Sequence, residues 1–98
     1  PTEILTAWQA GADVVKVFPA SVGGPAYFKD VKGPLPQVRL MPTGGVDLTT
    51  TGAFIKAGAC AVGAGGAMVD KKAVPAGKFD VITETARKFV EEVRKARA

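Results

Sequence analysis

Val14-Val15-Lys16-Val17-Phe18-Pro19 is the stretch on which the fold turns. It is short, rich in β-branched residues and broken by proline, which reads as a buried β-strand. A second such run, Val38-Arg39-Leu40-Met41-Pro42, follows it, and Ala59 to Val62 makes a third. Around these runs the apolar spacing changes to that of helices. Pro1-Thr2-Glu3 opens a segment with Ile4, Leu5 and Trp8 on one stripe, stopped at Gly11, with proline in the first turn and glycine after the last as ordinary helix punctuation. A glycine-rich turn leads to Pro25, which starts a short helix through Tyr27, Phe28 and Val31, ended by Gly33-Pro34. Asp47 is placed to N-cap a helix carrying Leu48, Phe54 and Ile55, with Gly58 as its stop. A final amphipathic helix sets Ile82, Ala86, Phe89, Val90 and Val93 on one face.

The order αβαβαβα, with nearly continuous apolar strands joined by helices, predicts an α/β fold with a parallel sheet covered on both faces. The strand-end landmarks Lys16, Thr43 and Gly66 lie 27 and 23 residues apart, as a repeated βα unit requires. Three such strands cannot close a barrel, which takes eight strands and typically about 250 residues. Left as an open sheet they would expose two edges and an inner face. Residues 1–98 are therefore expected to be the C-terminal part of a single (β/α)8 TIM-barrel domain, starting just after a fifth strand, with Pro1 a point of truncation or of initiator-methionine removal.

At 98 residues, 47% apolar and 22% charged, the composition is that of one soluble globular unit. No run of about 18 apolar residues is available to span a membrane, and no basic-then-apolar leader opens the chain. The single cysteine, Cys60, excludes an internal disulfide. Without histidine, and with Ser21 as the only serine, the chain cannot carry Ser-His-Asp or Cys-His catalysis or a His-ligated metal site. Chemistry must come from lysine, carboxylates, threonine or backbone amides. The net charge of +4 belongs to the tail: residues 1–70 hold five basic and five acidic side chains, residues 71–98 eight and four. Lys88, Arg94, Lys95 and Arg97 suit a helix C-terminus. No basic stripe with exposed aromatics accompanies them, so nucleic acid is not an expected partner.

Lys16 carries the strongest chemical signal. Alternation places it with Val14 and Phe18 on one strand face, and an ammonium is costly to bury in such a run. Desolvation favours the neutral amine that a nucleophilic lysine needs; the competing reading is an edge strand whose lysine reaches water. Thr43-Gly44-Gly45 follows the second strand and precedes a helix, and Gly63-Ala64-Gly65-Gly66 repeats that arrangement after the third. Either loop alone is an ordinary tight turn. Paired after the last two strands, they stand where many barrels hold a phosphate on backbone amides. The second loop is not a dinucleotide fingerprint, since Met68 stands where the third glycine belongs. Arg39, Cys60 and Trp8 read as structural. Glu91 and Glu92, adjacent on a solvated helix, cannot form a glycosidase pair.

The segments Val15-Lys16-Val17-Phe18-Pro19-Ala20 and Met41-Pro42-Thr43-Gly44-Gly45-Val46, with the opening Pro1-Thr2-Glu3, resemble the bacterial 2-keto-3-deoxy-6-phosphogluconate/4-hydroxy-2-oxoglutarate aldolases in order and spacing. The resemblance runs through all 98 residues and covers the C-terminal half of such an enzyme. It implies a class I aldolase, a carbon–carbon lyase. Its substrates would be 2-keto-3-deoxy-6-phosphogluconate, giving pyruvate and glyceraldehyde 3-phosphate, and/or 4-hydroxy-2-oxoglutarate, giving pyruvate and glyoxylate. Lys16 inherits the Schiff base. Phe18 matches the aromatic beside the substrate, Thr43, Gly44 and Gly45 the loop at its phosphate end, and Gly65 and Gly66 the last loop. Also implied are a small-molecule, phosphorylated 2-keto acid substrate, no cofactor, no metal, a homotrimer, and a cytoplasmic place in the Entner–Doudoroff pathway.

Two departures stand out. The family's phosphate-binding serine is replaced here by Gly66, which removes one hydrogen bond and predicts weaker selection for phosphate. The family's acid–base glutamate and its arginine and threonine contacts to the pyruvate carboxylate lie on earlier strands, so this segment alone is expected to be a poor catalyst. Alternatives are another phosphate-binding barrel in which Lys16 only contacts ligand, and a non-catalytic half-barrel that serves assembly or scaffolding.

Overall fold

The computed structural model describes residues 1–98. Val15–Val17 forms β1 and Leu40–Pro42 forms β2, and they pair in parallel with Val15 opposite Leu40, Lys16 opposite Met41 and Val17 opposite Pro42. Both strands are shorter than their apolar runs. Val38 donates to the Leu35 carbonyl in a turn, at 3.3 Å, which keeps it out of the ladder. Partners in a parallel register share a face. Val15, Leu40 and Pro42 are buried beneath the helices, and Lys16 is exposed on the opposite face.

Thr2–Gln9 forms α1, Gly24–Lys32 α2, Thr51–Lys56 α3 and Phe79–Arg97 α4. Their limits follow the expected punctuation. Gly11 takes a φ of 104° just past α1, a backbone state that glycine enters without steric cost. Pro25 lies in the first turn of α2 and Gly33 caps its end. Helix α3 starts later than its sequence suggests. Asp47 does not cap it; the Asp47 carboxylate instead folds residues 47–50 into a turn of their own.

The sheet has two strands, not the three expected. Cys60 N–H donates to the Leu40 carbonyl at 2.9 Å and Gly63 N–H to the Pro42 carbonyl at 2.9 Å. Three residue steps on one side thus span two on the other, which is a bulge. Pro42 also has no N–H to return to the third run. Residues 59–63 therefore lie alongside β2 without forming a strand, and only the Thr43–Gly63 parallel bridge remains.

The core lies between sheet and helices. Phe28 of α2 and Phe54 of α3 are fully buried and meet edge to face, with centroids 5.2 Å apart and planes at 71°. Val38, Leu40, Val46 and Phe89 are among the other buried residues of this core. Of the five α4 positions expected on one apolar face, only Phe89 is buried; Val90 is 56% exposed. The expected cover on both sheet faces is likewise found on one. Val14 and Phe18 are 39% and 68% exposed beside Lys16, leaving open edges and an open inner face, as an incomplete barrel must.

Candidate active site

The chain leaves β1 and β2 on the same side, and backbone hydrogen bonds continue past the strand ends. Thr43 N–H donates to the Val17 carbonyl at 3.0 Å, Ala20 N–H to Thr43 at 2.9 Å, and Ser21 N–H to Gly44 at 3.1 Å. Residues 18–21 are thereby fixed against residues 43–45. Gly44 and Gly45 have φ of 87° and 75°, where L side chains are strained. A Cβ on Gly44 would stand 2.9 Å from Phe18 Cε2, and one on Gly45 would stand 2.6 Å from Ser21 Cβ. Both the conformation and the close packing demand glycine.

These loops and the 63–67 segment enclose a recess of about 420 Å³. Phe18, Thr43, Gly44, Gly45, Gly65 and Gly66 all line it, so the six residues proposed from sequence as substrate contacts converge. Thr43 Oγ1 is buried there and has no hydrogen-bond partner in the chain. A Cβ on Gly63 would come within 2.5 Å of that oxygen, so glycine at 63 keeps the hydroxyl in place. Gly65 and Gly66 face open space.

Lys16 is not in that recess. It lines an adjoining one of about 400 Å³ with Glu3, Ile4 and Tyr27, and Phe18 belongs to both. Lys16 Nζ lies 5.6 Å from the Phe18 ring centroid, within cation–π range. The strand face that carries this lysine is uncovered, and the apolar Val14 and Phe18 beside it are themselves exposed. Here Lys16 is exposed, as the edge-strand reading has it.

Sequence reasoning missed Asp47 as a lining residue, assigning it only to a helix cap. Asp47 Oδ1 accepts from Thr49 N–H at 2.8 Å, Thr49 Oγ1 at 2.6 Å and Thr50 N–H at 3.0 Å. The Thr49 hydroxyl, chief among these donors, holds the carboxyl below its ordinary value of 3.8. The Asp-x-Thr-Thr pattern carried the signal, since aspartate accepts from amides two and three residues on. Nowhere do three or more His, Cys, Asp or Glu side chains gather as a metal site would need, and no helix is long and apolar enough to cross a membrane.

Comparison with known proteins bears on this geometry. The family model for KDPG and KHG aldolase matches residues 1–85. The 2-dehydro-3-deoxy-phosphogluconate aldolase of Pseudomonas aeruginosa is 34% identical over 91 residues, covering 92% of this chain and 41% of its own length. The 2-dehydro-3-deoxy-6-phosphogalactonate aldolase of Escherichia coli K12 is 40% identical over 65 residues, 65% of this chain and 32% of that enzyme. A solved structure described as native KDPGal superposes with a TM-score of 0.85 at 31% identity, over 97% of this chain and 45% of that one. A cube-shaped protein cage designed by fusing symmetric oligomeric domains gives 0.83 at 32% identity, over 98% and 34%. The chain spans less than half the length of each. The family-model match and the superposition assign the fold to part of a TIM barrel, and the chain belongs to the KDPG and KHG aldolase family.

Proposed function

We propose that the enzyme of which this chain is part is a class I aldolase, with Lys16 as its Schiff-base nucleophile. The observation that carries this reading is that the recess lined by Lys16 and the Thr43-Gly44-Gly45 recess share Phe18. The ε-amine attacks the 2-keto carbonyl, giving a carbinolamine that loses water to a protonated imine. Removal of the C4 hydroxyl proton then breaks the C3–C4 bond, the imine takes the electron pair as an enamine, and an aldehyde leaves. Protonation at C3 and hydrolysis release pyruvate and restore the amine. The proton transfers fall to a carboxylate elsewhere in the complete barrel.

The 2-keto head lies at Lys16, and the tail enters the glycine-lined recess, where backbone amides meet it. The substrates are those the relatives are named for, 2-keto-3-deoxy-6-phosphogluconate or 4-hydroxy-2-oxoglutarate. A cytoplasmic homotrimer is proposed for the complete enzyme on the family resemblance. The likeness to a cage built from symmetric oligomeric domains supports the oligomer.

Borohydride reduction in the presence of pyruvate tests the reading. Peptide mapping of the complete folded enzyme is expected to find a stable adduct on Lys16. An unmodified Lys16 would leave a ligand-contacting lysine in a different phosphate-binding barrel.

A further inference from the structure

We infer that Lys71 and Lys72 form a basic rim that draws the phosphate-bearing end of the substrate into the glycine-lined recess. The inference deepens the aldolase reading above and rests on it. It concerns an organic phosphate dianion, at the end of the substrate remote from Lys16.

Three observations carry it. First, the recess has no cation of its own. Asp47 is the one charged residue in its lining, and a Cβ on Gly65 or Gly66 would meet nothing within 4 Å. Backbone amides can bond a phosphate at such a wall, but they carry no net charge to set against its charge of about −2. Second, the chain turns back at this wall. Met68 and Val69 N–H both donate to the Gly65 carbonyl at 2.9 Å. Lys71 follows two residues on, so at about 3.8 Å per step its Cα stands within roughly 12 Å of that carbonyl. Lys72 N–H donates to Asp70 Oδ1 at 2.9 Å and Ala73 N–H to the Asp70 carbonyl at 3.0 Å. Ala73 is buried, which pins the loop. Third, both lysines are exposed, and the three ion pairs of the chain all lie on α4, so neither ammonium is neutralised by a salt bridge. With Lys78 at the end of the same loop, three cations stand against the carboxylates Asp47 and Asp70. Such an excess raises the local concentration of an oppositely charged ligand without touching it. It offsets the hydrogen bond that Gly66 removes.

The test measures kcat/KM for 2-keto-3-deoxy-6-phosphogluconate and for the unphosphorylated acid on the complete enzyme. At about 10 mM ionic strength the Debye length is about 30 Å. Lys71→Gln/Lys72→Gln is then expected to lower the ratio, ester over acid, by about fivefold, as two unit charges roughly 12 Å from a dianion in water require. A control of equal charge, Lys29→Gln/Lys56→Gln, alters the last turns of α2 and α3, the helix ends remote from the recess. It should move the ratio by less than about twofold. Salt at about 0.5 M should bring wild type and the Lys71/Lys72 variant together. Should that variant fail to fold, the wild type supplies the second reading: its own ratio should fall as salt rises. A ratio that neither substitution nor salt moves, or one that the control moves equally, overturns the inference while a Lys16 adduct leaves the aldolase reading standing. No adduct at Lys16 overturns both.

Discussion

Gly44 and Gly45 must be glycine for two separate reasons, a positive φ and the approach of Phe18 and Ser21. Gly45→Ala should therefore lower stability by about 1–2 kcal/mol from backbone conformation alone, and by more once Ser21 is displaced. A urea melt of the complete enzyme beside Gly66→Ala checks this, because position 66 has open space around it and no positive φ. Asp47 gives a pH signature. Its carboxyl is held below 3.8 by the Thr49 hydroxyl first and by the Thr49 and Thr50 amides. A depressed value means the unfolded state binds the proton more readily. The stability from Asp47 is then fully present above about 3.8 and lost as pH falls through the lowered folded value. Wild type should exceed Asp47→Ala in melting temperature at neutral pH, and the gap should close on strong acidification. At this scale the sequence marks Lys16 and the glycine pair plainly, because strand alternation and adjacent glycines are local signals. The exposure of Lys16 is not local; it depends on which strands stand beside β1.

Helix boundaries were readable because caps and breakers act within a turn: Pro25, Gly33 and Gly58 all sit where α2 and α3 begin or stop. The third strand was not readable, since a bulge arises from how two runs align and Ala59–Val62 by itself has strand character. Lys32, which no sequence signal singles out, organises the passage from α2 to β2. Its Nζ donates to the Pro36 and Val38 carbonyls, each at 2.8 Å. Lys32→Met keeps much of the stem that packs near Gly58 and removes both bonds. It should cost about 1–2 kcal/mol, with faster amide hydrogen exchange concentrated in residues 33–38. At the other end Arg97 donates to the Cys60 carbonyl at 2.6 Å, tying α4 to the run that the bulge excludes from the ladder. The exposed pairs Arg87–Glu84, Arg94–Glu91 and Lys95–Glu92, at 3.3–3.5 Å, contribute little by comparison.

The molecule as a whole has the shape of a shell segment. Its radius of gyration is 14.5 Å and its extents are 45 × 28 × 22 Å, against about 13 Å for a compact domain of this size. One face is a core of sheet and helices. The other presents Val14, Lys16 and Phe18, and an apolar groove of about 750 Å³ runs between residues 61–62 and α4. That groove explains why the α4 stripe was legible while its burial was not: Phe89 finds a partner in this chain and Val90 does not. The same openness bears on chemistry. An imine-forming lysine needs walls that exclude water and hold the keto acid against it, whereas here Lys16 has Phe18 beside it and solvent beyond. The 98-residue chain alone is therefore expected to trap far less pyruvate under borohydride than the complete enzyme, and to show no measurable retro-aldol turnover. Parallel trapping and a pyruvate-release assay on both would decide it. Equal trapping on Lys16 in the two would mean that the amine is activated by the β1–β2 pair itself, and the rest of the barrel would then be needed only for proton transfer.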